Sequence, residues 1–328
     1  MSNFGAIIAG TGSSVPERRL TNDDLSKMVD TNDEWITQRT GIKERRIAGP
    51  SETTATLGTA ASRRAIESAG LEPRDIELIV VATITPEMVF PSTACFIGAE
   101  LGIPGVPAFD MMAACSGFLY ALSTGANFIR AGQYKNVLVV GAETLSRIVN
   151  YKDRNSCILF GDGAGAVVLK RTDDLKRGLI YSTLHADGTG GDVMKCMPGS
   201  RHPICADLVS QEQQFMQIRG REVYKFAVSK FEQLIDSAMR ACELTKDDVK
   251  YIVPHQVNQR IIDSAMEKLG MPPSQAYVNI SKYGNTSAAS IPLALDEAWR
   301  AGKISAGDVI LFVAFGGGLT WANAVVRV

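Results

Sequence analysis

The sequence predicts an α/β protein made of two repeated halves, each a mainly parallel sheet whose buried strands alternate with helices. Self-similarity at a long and nearly constant spacing carries this prediction. Three pairs of matching segments lie 173, 168 and 170 residues apart: Asp75 and Asp248 at strand starts, Leu101-Gly102 and Leu269-Gly270 at helix ends, and Arg130-Ala131-Gly132 and Arg300-Ala301-Gly302 before strands. The repeat divides the chain into an N-terminal half, residues 1–175, and a C-terminal half, residues 176–328.

The predicted elements follow in chain order from the apolar runs and from the glycines that end them. In the first half we expect helices over 61–69 and 118–129, and strands over 1–11, 75–81, 106–109, 137–140 and 163–169. In the second half we expect helices over 223–242 and 291–300, and strands over 251–253, 309–314 and 320–328.

Composition narrows the class of protein. The chain has 328 residues, 45% of them hydrophobic and 21% charged, which suits an enzyme with one large or two fused cores. The formal net charge of -1 argues against a nucleic-acid binder. Residues 1–11 carry neither a basic leader nor a small-residue cleavage site, and no apolar stretch approaches membrane-spanning length, so we expect a cytoplasmic protein.

The six cysteines are widely spaced and include no Cys-x-x-Cys pair, so they predict free thiols rather than disulfides or a zinc ribbon. Cys196 and Cys205 have His202 between them, which raises the alternative of a metal site. That trio lacks a fourth ligand at the usual spacing, and a surface loop is the favoured interpretation.

Cys115 stands between an extended run, 106–109, and a helical one, 118–129. The unpaired N–H groups and the positive dipole end at a helix start stabilise a thiolate, so we expect a lowered pKa for this thiol. Acyl-transfer enzymes expose their nucleophile at such strand-to-helix turns. A small buried hydrophobe is the alternative role, and the position at the turn favours the nucleophile.

Asn285 and His255 are the expected companions of Cys115. The repeat offset of 170 residues takes Cys115 to Asn285, at a second turn before a helix, so the two should face each other across a pseudo-twofold axis. Two roles are open for Asn285. It caps the following helix, or its side-chain amide donates a hydrogen bond to a developing negative charge. His255 follows the strand 251–253 at the edge where parallel sheets expose ligand sites, whereas His185 and His202 are expected in loops.

Three glycine-rich segments fail as phosphate-binding loops. In the segment 8–16, Pro16 interrupts the helix that should follow, and the segment 161–166 runs into a strand. The third, Phe315-Gly316-Gly317-Gly318, lies between two apolar strands. It predicts a tight hairpin return, with a backbone N–H donor to an oxyanion as the alternative.

Several long motifs in a constant order then identify a family resemblance. They are Asp33-Glu34-Trp35-Ile36 with Arg39-Thr40-Gly41-Ile42, Ala114-Cys115-Ser116-Gly117, Phe160-Gly161-Asp162-Gly163-Ala164-Gly165-Ala166, Pro254-His255-Gln256-Val257-Asn258-Gln259-Arg260, Tyr283-Gly284-Asn285-Thr286-Ser287 and Phe315-Gly316-Gly317-Gly318. Over essentially the whole chain they resemble the thiolase-fold condensing enzymes, most closely the β-ketoacyl-acyl-carrier-protein synthase III family. The resemblance implies a five-layered αβαβα fold.

The resemblance also implies roles for the site residues. Cys115 would take the acyl group, and His255 and Asn285 would complete the catalytic site. The backbone N–H groups of Cys115 and Gly317 would form the oxyanion hole. Phe315 would pack beside the two donors, and Phe90 would close the acyl pocket of the neighbouring subunit.

Substrate recognition is implied in the same way. Trp35 and Arg154 look like the pair that sandwiches the coenzyme A adenine, with Arg39 and Thr40 nearby. The basic patch for the acidic carrier protein would consist of Arg260, Lys225 and Lys268. An ordinary solvated face is the alternative for these cations, and Glu267 departs from the family pattern, in which a second lysine often stands beside Lys268.

The reaction that the resemblance implies is a two-step condensation of an acyl-CoA primer, such as acetyl-CoA, with malonyl-acyl carrier protein, which initiates type II fatty acid synthesis. Coenzyme A enters as a thioester substrate, and no separate cofactor or metal is expected. The family also implies a homodimer, for which the strand 163–169 is a candidate interface edge. Three alternatives stay open: a related acyltransferase of secondary metabolism, an acyl-thioester hydrolase that uses Cys115 and His255, and a non-catalytic carrier-binding module.

Overall fold

The structure is a computed structural model that describes residues 4–328. Its strands are β1 Gly5–Ser14, β2 Arg19–Thr21, β3 Glu44–Arg46, β4 Leu78–Ala82, β5 Ala108–Met111, β6 Asn136–Glu143, β7 Gly163–Thr172, β8 Gly178–Ala186, β9 Met194–Lys195, β10 Gln217–Ile218, β11 Val249–Pro254, β12 Val309–Gly316 and β13 Thr320–Arg327. Its helices are α1 Asn22–Ser26, α2 Asp33–Thr40, α3 Thr54–Ser68, α4 Thr93–Leu101, α5 Gly117–Arg130, α6 Ala206–Ser210, α7 Gly220–Ala241, α8 Gln259–Leu269, α9 Ile280–Tyr283 and α10 Ser290–Arg300. Residues 1–3 of the expected first strand lie outside the described part.

Two sheets with the same strand order form the framework. The first has the order β1-β7-β6-β4-β5, and the second has the order β8-β13-β12-β11. In both, the first three strands alternate in direction, and each later strand runs parallel to the one before it. A parallel bridge from Ile252 to Ala276 stands where β5 stands in the first sheet. The boundary expected at residue 175 falls in the turn between β7 and β8.

Helices cover both sheets and separate them, which gives the five layers that the family resemblance implies. α3 and α4 pack on the outer face of the first sheet, and α7 packs on the outer face of the second with α8 beside it. α5 and α10 form the middle layer, where apolar residues of both sheets meet in one core. Burial of apolar side chains on both faces of each sheet is what makes the strands read as nearly continuous hydrophobic runs.

The glycines of β1 are explained by close packing rather than by phosphate binding. A Cβ built at Gly12 would lie 2.3 Å from the backbone oxygen of Ala61 in α3, and one at Gly10 would lie 2.4 Å from the backbone oxygen of Ala65. Only glycine permits this approach of a helix to a strand.

Two expectations about strands are wrong. The strand over 163–169 is not a sheet edge, because β7 lies between β1 and β6; the outer strands of that sheet are β1 and β5. His185 is not in a loop. It lies in β8 and pairs with Trp321 of β13, and the centres of the two stacked rings are 5.5 Å apart. Both errors concern long-range strand pairing, which local patterns do not reveal.

The cysteines are free thiols, as the sequence predicts. All six cysteines are free, and Cys196 and Cys205 are exposed in the connection between β9 and β10. Among residues 4–328, no helix is both long enough and apolar enough to cross a bilayer.

Candidate active site

Cys115 occupies a strained turn between β5 and α5. Ala114, Cys115 and Ser116 form one turn of 3₁₀ helix that leads directly into α5. Ala114 has φ +46°, in the left-handed region that a non-glycine residue enters only at a cost. A Cβ built at Gly316 would lie 2.6 Å from the Cys115 nitrogen, so the hairpin after β12 presses against this turn. The position expected for Cys115 is confirmed.

A second turn of the same shape stands in the other half. Ser287, Ala288 and Ala289 form a 3₁₀ turn that leads into α10, and Ser287 has φ +48°. The residue that matches Cys115 is therefore Ala288, and Asn285 lies three residues earlier. The expected offset of 170 holds at the helix ends, but α10 is three residues shorter than α5, so the offset at the helix starts is 173.

The protonation state of Cys115 differs from the expectation. Burial, with a smaller contribution from the Glu143 carboxylate, raises the pKa of the Cys115 thiol to about 12. The Ser287 hydroxyl and the backbone N–H of Cys115 act in the opposite direction and do not compensate. The turn therefore holds a neutral thiol in the free protein, because desolvation outweighs the stabilisation of a thiolate at a helix start.

His255 follows β11 and is 1% exposed. Its Nδ1 lies 2.7 Å from the Ser290 Oγ, and that oxygen also accepts a hydrogen bond from the Gln256 N–H at 3.4 Å. Burial lowers the pKa of His255 to about 3, so the ring is neutral. Since the Ser290 oxygen accepts from the backbone, its proton can go to Nδ1, which leaves the hydrogen on the unpartnered Nε2.

Asn285 is held by its backbone and by one side-chain atom. Its N–H donates to the Leu159 oxygen at 2.8 Å, and its own oxygen accepts from Gly161 at 3.0 Å. The Oδ1 accepts from the Ser287 N–H at 2.9 Å. The amide nitrogen is therefore the group that can donate to a ligand.

Contacts through two shared neighbours bring the three residues to one place. The Phe315 ring meets the His255 ring edge-on at 5.9 Å, and the next residue, Gly316, abuts Cys115. The Ser287 N–H donates to Asn285, and the Ser287 hydroxyl lowers the pKa of the Cys115 thiol. Gly317 continues the hairpin and lies against Met194.

Trp35 lies on α2 between two guanidinium groups. The Arg39 guanidinium is 4.4 Å from the centre of the indole, and that of Arg154 is 4.9 Å away. Arg154 also donates to the backbone oxygen of Asp30 at 2.9 Å. Thr40 differs from the expectation: it is 2% exposed and its hydroxyl donates to the Ile36 oxygen, so it does not reach this surface.

The expected basic patch is exposed on α7 and α8. Arg260 stands in the first turn of α8, whose N-cap residue Asn258 donates to the Arg39 oxygen at 2.9 Å and so joins the patch to the Trp35 surface. Lys225 and Lys268 line one groove between the helices. Lys268 lies 3.8 Å from Glu232, and this ion pair reduces its free positive charge.

Phe90 projects from the segment between β4 and α4 and is 81% exposed, beside Val89 at 99%. Met112, immediately after the edge strand β5, is 74% exposed. Exposed apolar side chains of this size are typical of an interaction surface.

Sequence reasoning missed the residues that support the site. Ser290 contacts the His255 ring, and Ser287 donates to Asn285 from the turn beside Cys115. Gly316 has no side chain, which leaves room for the Cys115 turn. No sequence pattern pointed to Glu143, which is fully buried at the end of β6. The serines of the run 285–290 carried a signal, because polar side chains in an otherwise buried helix start need a partner.

A duplicated α/β fold that brings a cysteine turn of one half against a histidine and an asparagine of the other defines a condensing enzyme of the thiolase fold. Family models support this class directly. The model described as 3-oxoacyl-[acyl-carrier-protein] synthase III matches residues 109–188, and the one for its C-terminal part matches residues 239–328.

Relatives cover nearly the full chain. A β-ketoacyl-[acyl-carrier-protein] synthase III of Caldanaerobacter subterraneus is 53% identical over 99% of this chain and 98% of its own length. The crystal structure of 3-oxoacyl-[acyl-carrier-protein] synthase III from Aquifex aeolicus superposes with a TM-score of 0.92 at 46% identity, covering 99% and 100% of the two chains. The priming β-ketosynthase of the R1128 polyketide pathway gives 0.92 at 36% identity, covering 99% and 96%. The chain belongs to the β-ketoacyl-acyl-carrier-protein synthase III family and is an acyl-transferring condensing enzyme of type II fatty acid synthesis.

Proposed function

We propose that Cys115, His255 and Asn285 condense an acyl-CoA primer with malonyl-acyl carrier protein to give 3-ketoacyl-acyl carrier protein and carbon dioxide. The proposal rests on one arrangement: the Cys115 turn packs against the turn after Asn285, beside a neutral histidine whose Nε2 has no partner within residues 4–328. We also propose that the two halves, 1–175 and 176–328, each supply one side of this site.

In the first step the Cys115 sulfur attacks the acyl-CoA thioester and coenzyme A leaves. Covalent capture separates acyl transfer from carbon-carbon bond formation. The backbone N–H groups of Cys115 and Gly317 would receive the oxyanion of the tetrahedral intermediate. A preorganised donor of this kind contributes about 3 kcal/mol to the transition state.

In the second step the malonyl thioester carbonyl would accept hydrogen bonds from His255 Nε2 and the Asn285 amide nitrogen. Loss of carbon dioxide builds negative charge on that oxygen, and two donors in a buried site stabilise it. The resulting enolate attacks the acyl group on Cys115. The neutral state of His255 supports a donor role rather than a role as a charged acid.

The Trp35 surface is the proposed site for the nucleotide end of coenzyme A. An adenine would stack on the indole in place of one guanidinium, which requires Arg154 to move away from its 4.9 Å contact. Arg39 and Arg154 would then face the phosphates. Arg260, Lys225 and Lys268 are the proposed contacts of the acidic carrier protein, next to the same entrance.

We propose a homodimer in which Phe90 of one subunit closes the acyl pocket of the other. The exposed apolar side chains of Val89, Phe90 and Met112 beside the edge strand β5 support this assembly. A cytoplasmic location accompanies the proposal, since six free thiols suit a reducing compartment.

Intact-protein mass spectrometry tests the proposal. After mixing with acetyl-CoA, the wild-type chain should gain one acetyl group, and malonyl-carrier protein should then remove it as ketoacyl product. Cys115→Ala should remain unlabelled but still decarboxylate the malonyl substrate, whereas His255→Ala and Asn285→Ala should be labelled and lose decarboxylation. Free acid as the sole product would indicate a hydrolase, and an unlabelled wild-type chain would indicate a carrier-binding module.

A further inference from the structure

Glu143 is a fully buried carboxylate close to the nucleophile. It lies at the end of β6 and accepts hydrogen bonds from the segment after β4: from Thr85 Oγ1 at 2.6 Å, from the Ile84 N–H at 3.1 Å and from Thr83 Oγ1 at 3.2 Å. Within residues 4–328, no lysine, arginine or histidine forms an ion pair with it. Buried carboxylates without a cation are uncommon and point to a function.

The geometry of β6 directs this carboxylate at the turn 287–289. A Cβ built at Gly141 would lie 2.3 Å from the Ala288 oxygen, so that side of β6 faces the turn 287–289. Side chains two residues apart in a strand share a face, so Glu143 points toward the same turn. A Cβ built at Gly117 would lie 3.6 Å from the Ala288 Cβ, so the start of α5, just after the Cys115 turn, also packs against the turn 287–289.

Ser287 lies between the two groups. Its hydroxyl is buried and has no hydrogen-bond partner within residues 4–328, and it lowers the pKa of both the Cys115 thiol and the Glu143 carboxylate. The groups that face Glu143 are thus Thr83, Ile84 and Thr85 from the segment after β4, Ser287 from the second turn, and Cys115, the titratable one, from the first. Burial raises the pKa of Glu143 to about 7, so its carboxylate can exchange a proton near neutral pH.

We propose that Glu143 accepts the Cys115 thiol proton through the Ser287 hydroxyl when the acyl group is transferred, and returns it when the cysteine is released. The inference rests on the proposed function of Cys115. Both Glu143 and Ser287 are positioning residues, since they act through the thiol and do not contact substrate.

The proton balance closes over the two steps. In acylation the thiol proton passes to the Ser287 oxygen while the Ser287 proton passes to Glu143. A carbon-sulfur bond forms at Cys115 as the carbon-sulfur bond to coenzyme A breaks. The coenzyme A thiolate leaves and takes a proton from water. In condensation the enolate displaces the Cys115 thiolate, which regains its proton by the reverse path. Glu143 is ionised again and ready for the next acyl-CoA.

The test is the rate of single-turnover acetylation of Cys115 by acetyl-CoA, followed by quenched-flow mass spectrometry across pH. The wild-type rate should rise as pH increases through about 7, because only the ionised carboxylate accepts a proton. Glu143→Gln and Ser287→Ala should lose this rise and acylate at least about 100-fold more slowly at pH 8. Glu143→Asp should recover part of the rate. Malonyl decarboxylation in all three should stay within about twofold of wild type, since it needs no proton from Cys115.

Asp162→Asn is the matched control. Asp162 is also a fully buried carboxylate, but it accepts from Ala48 and Ser146. This variant should keep the pH-dependent rise. The inference is overturned if Glu143→Gln acylates with the wild-type rate and pH profile, or if it loses acylation and decarboxylation together as a generally damaged protein would. Failure of wild-type Cys115 to acylate overturns the proposed function itself.

Discussion

The Nδ1 atom of His255 lies 2.7 Å from the Oγ of Ser290, and this contact decides which ring nitrogen faces the site. When the Ser290 hydroxyl donates to Nδ1, the ring proton is on Nε2, from which it can be donated to a substrate carbonyl. The turn and helix that follow Asn285 therefore also supply the group that orients the histidine.

Ser290→Ala removes the partner of Nδ1 and lets the imidazole change tautomer and rotate. We expect malonyl decarboxylation, measured as carbon dioxide release, to fall about tenfold, the equivalent of one hydrogen bond of about 1.4 kcal/mol. Acetylation of Cys115 should be unchanged. Ser62→Ala, which removes another buried hydroxyl far from the site, should change neither rate; an equal loss in both variants would contradict the role of Ser290.

Gly316→Ala places a methyl group 2.6 Å from the Cys115 nitrogen and should displace the nucleophile turn. Misplacement of a nucleophile by about 1 Å costs on the order of 100-fold in rate, so we expect a loss of that size in Cys115 acetylation. Gly220→Ala is the control, because nothing lies within 4 Å of a Cβ built there. Normal acetylation in Gly316→Ala would contradict the prediction, because it would show that the turn accommodates the methyl group without displacing Cys115.

Arg260→Glu reverses a charge in the exposed patch on α8. The KM for malonyl-carrier protein should rise about five- to tenfold at low salt, and the difference should shrink as salt screens the contact. The rate of acetylation by acetyl-CoA should not change. Lys176→Glu, an exposed lysine in the turn between β7 and β8, should leave the KM at its wild-type value; an equal effect would indicate general electrostatic steering.

Glu143 should also govern the pH dependence of stability. Its pKa is raised from 4.5 to about 7 on folding, so the folded state holds its proton more tightly than the unfolded chain does. The group is neutral in both states below about pH 4.5, and its burial costs on the order of 3 kcal/mol once both states ionise above about pH 7. The difference in unfolding free energy between Glu143→Gln and wild type should therefore shift in favour of the variant between these values. A difference that is constant with pH would contradict the raised pKa.

Local patterns predicted most of the framework. The glycines after Leu101 and Leu269 do end helices in the left-handed conformation, and Arg130 and Arg300 do end the two middle helices. Capping and apolar periodicity are properties of neighbouring residues, so one sequence suffices to predict them. His185 shows the limit, because its place in β8 depends on pairing with Trp321, far along the chain.

The sequence by itself determined the duplicated α/β architecture, the position of Cys115 between a strand and a helix, and the family. The tertiary structure decided the chemical state of the site. It makes Ala288 the counterpart of Cys115, leaves the thiol neutral, joins His255 to Ser290 and buries Glu143 beside them. The physical reason is that desolvation and hydrogen bonding depend on which distant segments cover a group, and the order of residues around that group does not specify them.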